Sequence, residues 1–211
     1  MKFYGQNQTN GGYGIDPIDK VLYDRYFTGK TDGFFIEAGA NDGLFLTSCK
    51  VFEDIGWSGF NIEPSRKLFA LLKENRPNSI NINQALFDHE TQVEFEDIDY
   101  DNGGWSRVAD PNGRHSNCHL QVASKYIVKA NTYDNILKEY DIKEVDLFVL
   151  DVEGFEIEVI RGMGSDLSRK PKIFCIEHTH VGLDILITEL QQEYYQDWCD
   201  GLNVIFKRRD I

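Results

Sequence analysis

Residues 34–43 read Phe34-Phe35-Ile36-Glu37-Ala38-Gly39-Ala40-Asn41-Asp42-Gly43. A short apolar run ends in an acid and then in small residues. The next segment, 47–55, has helical periodicity and closes at Gly56. Strand, tight turn and helix in that order open a doubly wound sheet, where ligands bind beyond the carboxyl ends of the strands near the switch point. Gly39 would let backbone approach a ligand closely, and Gly43 would permit an unusual turn. The spacing is Gly-x-x-x-Gly, which is neither the three-glycine pattern of a dinucleotide fold nor a phosphate-binding loop ending in Gly-Lys-Ser/Thr. Taken alone, the turn also fits a plain strand-to-helix connection.

Working outward, the pattern predicts a helix over 17–27, with Asp16 as N-cap and Pro17 in first position. Strands are expected at 33–37, 59–63 and 79–83, with 85–87 continuing the third, and a helix at 65–75 presents Leu68, Leu71 and Leu72 on one face. Such alternation implies βαβ units and a parallel sheet. Residues 92–98 alternate apolar residues with acids, as a half-exposed strand does. Residues 99–120 are polar and rich in Gly and Asn, and a loop of that length in a compact domain is usually functional or disordered. A strand at 126–130 and a helix from Thr132 to 139 follow. The almost unbroken apolar run 145–150 fits a central parallel strand buried on both faces. A helix at 156–163, a strand at 172–177, a helix at 183–194 and a strand at 202–207 complete the reading. The expectation is one α/β domain over 1–211 with a doubly wound sheet of about seven strands. Residues 1–30 form an arm and helix, and 91–130 an insertion over the acceptor site.

Three further signals lie at predicted strand ends. Glu63, followed by Pro64, stands where an acid can accept ribose hydroxyls, although a lone acid there also suits a helix start. Asp151-Val152-Glu153-Gly154-Phe155-Glu156 follows the most buried strand, and paired carboxylates there suit base chemistry or metal binding, or else cap a helix. Glu177-His178-Thr179-His180 ends the neighbouring strand, about 5 Å away in a parallel sheet. His178 is placed to act as general base near neutral pH, by itself or as a relay for Asp151. Asp151, Glu177 and His178 together would also suit a divalent ion such as Mg²⁺ or Mn²⁺.

These signals together resemble the FkbM family of S-adenosylmethionine-dependent methyltransferases, over nearly the whole chain. The stretch 35–43 is similar to the family's first motif, which usually has Asp where this chain has Glu37. Trp57-Ser58-Gly59-Phe60-Asn61-Ile62-Glu63-Pro64 resembles the second, Asn83-Gln84-Ala85-Leu86-Phe87-Asp88 the stretch lining the adenine, and residues 146–156 the Asp-Val-Glu-Gly-x-Glu signature. The resemblance implies a class I methyltransferase fold with strand order 3-2-1-4-5-7-6, strand 7 antiparallel, and O-methylation of a hydroxyl, commonly on a sugar. It implies that Glu37, Gly39, Ala40, Asn41, Asp42 and Gly43 hold the methionine end of S-adenosyl-L-methionine, Glu63 the ribose, and Ala85 and Asp88 the adenine. Asp151, Glu153 and His178 would stand by the transferred methyl. Trp105, Ser106, Arg107, Arg114, His115 and His180 are the candidates for acceptor binding, with Trp105 either stacking on a sugar face or anchoring the loop.

Composition narrows the class. With 211 residues, 41% apolar and 27% charged, the chain is long enough for one substantial core. No apolar run approaches the roughly 20 residues of a spanning helix, and the polar N-terminus has no secretory h-region. A net charge of −13 disfavours nucleic acid as a partner, leaving a small-molecule or glycan acceptor. Lys207-Arg208-Arg209 is a local basic cluster or simply a solvated strand end. Cys49, Cys118, Cys175 and Cys199 form no CxxC or zinc spacing, which points to a reducing, cytoplasmic compartment. A nucleotide-binding oxidoreductase and a non-catalytic module on the same fold are the alternatives, and the chain could be one domain of a larger protein.

Overall fold

The computed structural model describes residues 1–5, 8–10, 13–110 and 119–211. A small hairpin of β1 (Gln8–Asn10) and β2 (Tyr13–Ile15) precedes α1 (Ile18–Leu22), which runs on into a wider π turn, Tyr23–Phe27. Asp16 does not cap α1. Its carboxylate pairs with Lys20 at 2.9 Å, and the helix starts from Pro17. The alternating units are then β3 (Phe34–Ala38), α2 (Lys50–Asp54), β4 (Ser58–Ile62), α3 (Arg66–Asn75) and β5 (Ile80–Ile82). Ser65 caps α3 by accepting from the Leu68 amide, satisfying one of the first-turn donors.

Next come β6 (Ala85–Leu86), β7 (Thr91–Ile98), β8 (Arg107–Val108) and β9 (Val122–Asn131). The second half holds α4 (Tyr133–Glu139), β10 (Leu147–Leu150), α5 (Glu156–Arg161), β11 (Ile173–Glu177), α6 (Leu183–Leu190), β12 (Tyr194–Cys199) and β13 (Asn203–Arg208). Thr132 caps α4 through the Asn135 amide.

The main sheet runs β5-β4-β3-β10-β11-β13-β12, which is the expected 3-2-1-4-5-7-6. β13 lies antiparallel between β11 and β12. This is the class I methyltransferase arrangement. Side chains alternate between faces: Phe35, Leu147 and Val149 pack on one side with Phe52 and Trp57, while Ile36, Phe148 and Phe174 pack on the other. The Phe148 and Phe174 rings stack at 4.9 Å and 7°. Each fully buried side chain of this size contributes about 1.5–3 kcal/mol, so the central strands fix the sheet.

Two sequence expectations are corrected. Residues 85–87 do not extend β5. β6 instead pairs parallel with β9 in a second sheet of order β6-β9-β7-β8, whose own core joins Phe95, Val108, Val128 and Ala130 to Phe155. The seventh main-sheet strand is β12, where the sequence pattern predicts the end of a longer helix at Tyr194 and no element over the rest of the strand. α6 stops at Leu190 because Gln191 to Glu193 turn the chain back against β13.

Candidate functional site

The crossover from β5 back to β10 places the ends of β3 and β10 side by side. In register, Val149 faces Glu37 and Leu150 faces Ala38, and the Asp151 amide donates to the Ala38 carbonyl at 3.1 Å. Gly39 stands at φ +83°, and a Cβ there would lie 1.8 Å from the Asp151 carbonyl oxygen. Gly39 thus serves the packing of two strand ends, and it also lines both cavities described below. Gly43 (φ +81°) is held the same way against Leu72 and Arg76 of the α3 end.

Glu37 is buried and fully engaged. It accepts from the Thr47 hydroxyl at 2.8 Å and the Ser48 and Cys49 amides at 2.6 and 3.2 Å, and pairs with Arg76 at 3.3 Å. Arg76, with no exposed surface, also binds Glu53 at 2.7 Å. Glu37 therefore anchors the entry to α2 and shapes the turn, and its residue lines the cavity beside it. Ala40 is buried, with its amide on the Ile62 carbonyl. Asn41 (φ +50°) donates its amide to Glu63 at 2.9 Å and its side-chain nitrogen to the Asn102 carbonyl at 3.3 Å. The Asp42 carboxylate caps the next turn through the Leu44 and Phe45 amides.

Glu63 is buried at the end of β4, with one oxygen on the Asn41 amide and the other on the Ser65 amide. Burial raises its carboxyl to about 8 against the pull of those two donors. It borders two adjoining cavities. The larger, about 390 Å³, spans the ends of β3, β4, β10 and β11, with Asn41, Glu63, Trp105, Asp151, Glu153 and His180 in its walls. The smaller, about 40 Å³, is a mainly apolar slot between Pro64, Ala85, Leu86, Val108, Val152 and Phe155. A groove of about 500 Å³ along α3 meets the main cavity only at Asp101, Gly103 and Ser106 and touches neither β10 nor β11. The converging acids single out the main cavity as the site.

At its far wall the carboxylates crowd. Asp151 is exposed at the cavity, and desolvation by the neighbouring protein, together with Glu153, Glu177 and Glu156, raises its carboxyl above the ordinary range. Burial and Glu153 raise Glu177 to about 7, although the Thr179 hydroxyl donates to it. Glu156 accepts the Val152 and Gly154 amides, clasping the loop that bears Glu153. Glu153 itself holds φ +56°, a conformation that costs a non-glycine residue about 1–3 kcal/mol and needs such support. Its carboxylate meets His180 Nε2 at 2.8 Å, which raises the His180 pKa, and the Trp105 ring stands edge-on to the imidazole at 5.9 Å and 82°.

The other predicted residues divide. Trp105 and Ser106 line the main cavity, and Arg107, buried and paired with Glu96, lines the slot. Arg114 and His115 lie outside the described residues. Asp88 pairs with exposed His89 and borders neither cavity, because Phe87 is drawn away by its amide bond to the Asn131 carbonyl. His178 is corrected too. The chain turns at the end of β11, the Gly182 amide bonds the His178 carbonyl, and the imidazole faces the Asp200 carbonyl at 3.2 Å and Cys199 Sγ at 3.6 Å. The metal set Asp151, Glu177 and His178 is therefore not assembled, and among the described residues no group of three or more potential ligands gathers for an ion. Of the basic cluster, Arg208 is buried on the Leu167 and Lys170 carbonyls and Arg209 bonds the Gln191 carbonyl. Thr47, Ser48, Phe45, Leu46, Leu202 and Asn203 line the cavity without having been singled out in the sequence. For Phe45 and Leu46 the place just past the glycine turn is a sequence signal, whereas Thr47 and Ser48 read as the start of a helix and Leu202 and Asn203 as the start of a strand.

Among solved structures, the chain is similar to the METTL16 MTase domain, with a TM-score of 0.55, 11% identity, and 90% of this chain and 66% of that one covered. It is likewise similar to a chain of the fibrillarin/Nop5p complex, with a TM-score of 0.52, 11% identity, and coverage of 90% and 79%. At such identity these likenesses show the fold alone. No protein of curated function matches the sequence. The model of the methyltransferase FkbM domain matches residues 37–200, from the acid of the glycine turn to the β12–β13 corner. The chain is thus a member of the FkbM methyltransferase domain family.

Proposed function

We propose that the chain transfers a methyl group from S-adenosylmethionine to a hydroxyl of a small neutral acceptor, a sugar or glycan. One observation carries this reading: the main cavity joins Glu63 on one side to Asp151, Glu153 and Glu177 on the other, and no Lys or Arg is among the described residues that line it. A donor with a sulfonium and an ammonium group suits such walls. Glu63 has one backbone donor on each oxygen, which leaves it lone pairs for two ribose hydroxyls. The apolar slot beside it suits a purine, although at about 40 Å³ it must widen, with Arg107 and Val108 giving way.

Bound there, S-adenosylmethionine supplies a methyl group on a sulfonium that leaves as a neutral thioether. The protein's share is alignment and the exclusion of water. The rigid turn 39–43 and Glu63 hold one substrate, and Trp105, Ser106 and the 177–180 turn wall the other. Acidic walls oppose phosphorylated acceptors, and the net charge of −13 opposes nucleic acid. An indole face suits the C–H face of a sugar ring. No helix is long and apolar enough to cross a membrane among the described residues. A single domain over 1–211, with 91–130 covering the acceptor, and a reducing, cytoplasmic setting belong to the same proposal. Free Cys49 and Cys175, both buried, support the latter. The test is methyl transfer from tritiated S-adenosylmethionine to methyl glycosides, compared with the matching sugar phosphates. Labelling of the glycosides is expected, and labelling of the phosphates alone would refute a neutral acceptor.

A further inference from the structure

The hydroxyl of a sugar is a weak nucleophile and gains from a base at the moment of transfer. Such a base needs an atom that faces the cavity and that the protein does not already occupy. Most acids at the strand ends fail that condition. Glu37 is taken up by Thr47, two amides and Arg76. Glu63 holds the Asn41 and Ser65 amides, and Glu153 meets His180. Glu177 accepts the Thr179 hydroxyl on one oxygen, and its other oxygen is shut off from solvent. Asp151 remains. It is exposed at the cavity, and its carboxylate meets no donor among the described residues. Its place is also fixed. The Asp151 amide donates to the Ala38 carbonyl at 3.1 Å, and the Asp151 carbonyl packs on Gly39, where a Cβ would stand 1.8 Å away. With Glu63 and Ser106 it lines both the main cavity and the slot, so it stands where the two meet. A carboxylate on a rigid strand end is held to the precision that proton transfer needs.

We propose that Asp151 is the catalytic base of the acceptor site and that Glu177, beside it at the end of β11, acts through it, an inference that rests on hydroxyl methylation as the reaction. Leu150 faces Ile176 in register, so the next residues, Asp151 and Glu177, follow side by side on strands about 4.8 Å apart. As the acceptor oxygen bonds to the methyl carbon, the carbon–sulfur bond breaks and its electron pair stays on sulfur. The O–H proton passes to an Asp151 carboxylate oxygen and leaves from there to water. Glu177 touches no reacting atom in this scheme. It is a positioning residue that sets how strongly Asp151 holds the proton. Desolvation, with Glu153, Glu177, Glu156 and Glu37 around it, raises the Asp151 carboxyl above its ordinary 3.8 and makes its carboxylate a stronger base. Glu63 and His180 line the same cavity, and Asp101 stands on the β7–β8 turn shared with the outer groove. The base form is populated only above the raised value, so activity falls on its acid side.

The test has three arms. Calorimetry with S-adenosylhomocysteine comes first: absence of binding to the wild type overturns the methyl-transfer reading and this proposal with it. Carbon-13 NMR titration of labelled aspartate needs no acceptor. The Asp151 carboxyl is expected to titrate above 3.8, with a midpoint that falls in Glu177→Gln. A midpoint at or below 3.8 overturns the assignment, and one that Glu177→Gln leaves in place overturns the role of Glu177. With methyl glycosides as acceptors, Asp151→Asn is expected to lower kcat by about 10²–10⁴-fold and to abolish the acid limb. S-adenosylhomocysteine affinity stays within about threefold, which separates lost chemistry from lost folding. Glu177→Gln should move the limb to lower pH and keep the plateau kcat within about tenfold. Near-wild-type kcat in Asp151→Asn, or a loss of S-adenosylhomocysteine affinity as large as the loss of kcat, overturns the base while leaving methyl transfer itself standing. Binding of S-adenosylhomocysteine with no labelling of any methyl glycoside overturns the sugar hydroxyl as acceptor, and the base with it.

Discussion

The turn after β3 and the ends of β10 and β11 face each other across one cavity, and their carboxylates live in opposite surroundings. Glu37 is met by a hydroxyl, two amides and Arg76, and Asp42 by two amides. Opposite, Asp151, Glu153, Glu156 and Glu177 crowd one another, and one oxygen each of Glu156 and Glu177 is buried with no hydrogen-bond partner among the described residues. Satisfied acids rigidify a binding turn. Burial raises Asp151, Glu156 and Glu177 above the ordinary carboxylate range, as is common where protons are transferred. In the function proposed above, the first group would form a prebuilt holding side and the second a titratable chemical side.

The comparison breaks most visibly at Arg76. Arg76→Ala leaves buried Glu37 without its cation, while Glu53 keeps Lys50 at 3.5 Å, and a loss of about 3–5 kcal/mol in denaturant unfolding is expected. A loss under about 1 kcal/mol would mean that the holding side does not depend on this pair. Gly39→Ala follows. The left-handed backbone alone costs about 1–3 kcal/mol, and the clash with the Asp151 carbonyl pushes the two strand ends apart. S-adenosylhomocysteine binding should be lost in a protein that still unfolds cooperatively, as calorimetry on the folded variant would reveal.

Glu63 sharpens the comparison, because burial raises its carboxyl to about 8. Ribose hydroxyls donating to it favour the charged form, so binding expels a proton. Affinity for S-adenosylhomocysteine should strengthen several-fold from pH 6 to pH 8, and Glu63→Gln should flatten the dependence. The smallest effect is at Glu177. Its folded pKa, about 7, lies above the ordinary 4.5, so the folded state binds the extra proton and stability falls as pH rises between those values. Glu177→Gln should reduce that slope in thermal melts compared at pH 5 and pH 8, and an unchanged slope would remove Glu177 from the titrating cluster.

The holding side was legible because its signals are local. Phe34 to Gly43 encodes strand and turn in one run, and Glu63 follows by the strand–helix spacing. The chemical side depends on how a chain leaves a strand. His178 and His180 are two residues apart, and only the turn closed by Gly182 decides which reaches the cavity. β12 was hidden because Leu183, Leu186, Leu190 and Tyr194 keep helical spacing across the end of α6. Ala85 and Leu86 read as more of β5 because their partner, β9, lies more than thirty residues away in sequence. Roles set by buried partners, such as Arg76 on Glu37, leave no mark at short range.

The central claim, that one cavity at these strand ends holds S-adenosylmethionine on Glu63, is tested most directly by calorimetric titration of the wild type and Glu63→Ala with S-adenosylhomocysteine, with NAD as the control ligand. The account predicts saturable one-to-one binding to the wild type, at least about tenfold weaker binding to the variant, and no binding of NAD. Equal affinity in the two proteins, or binding of NAD in place of S-adenosylhomocysteine, would contradict it.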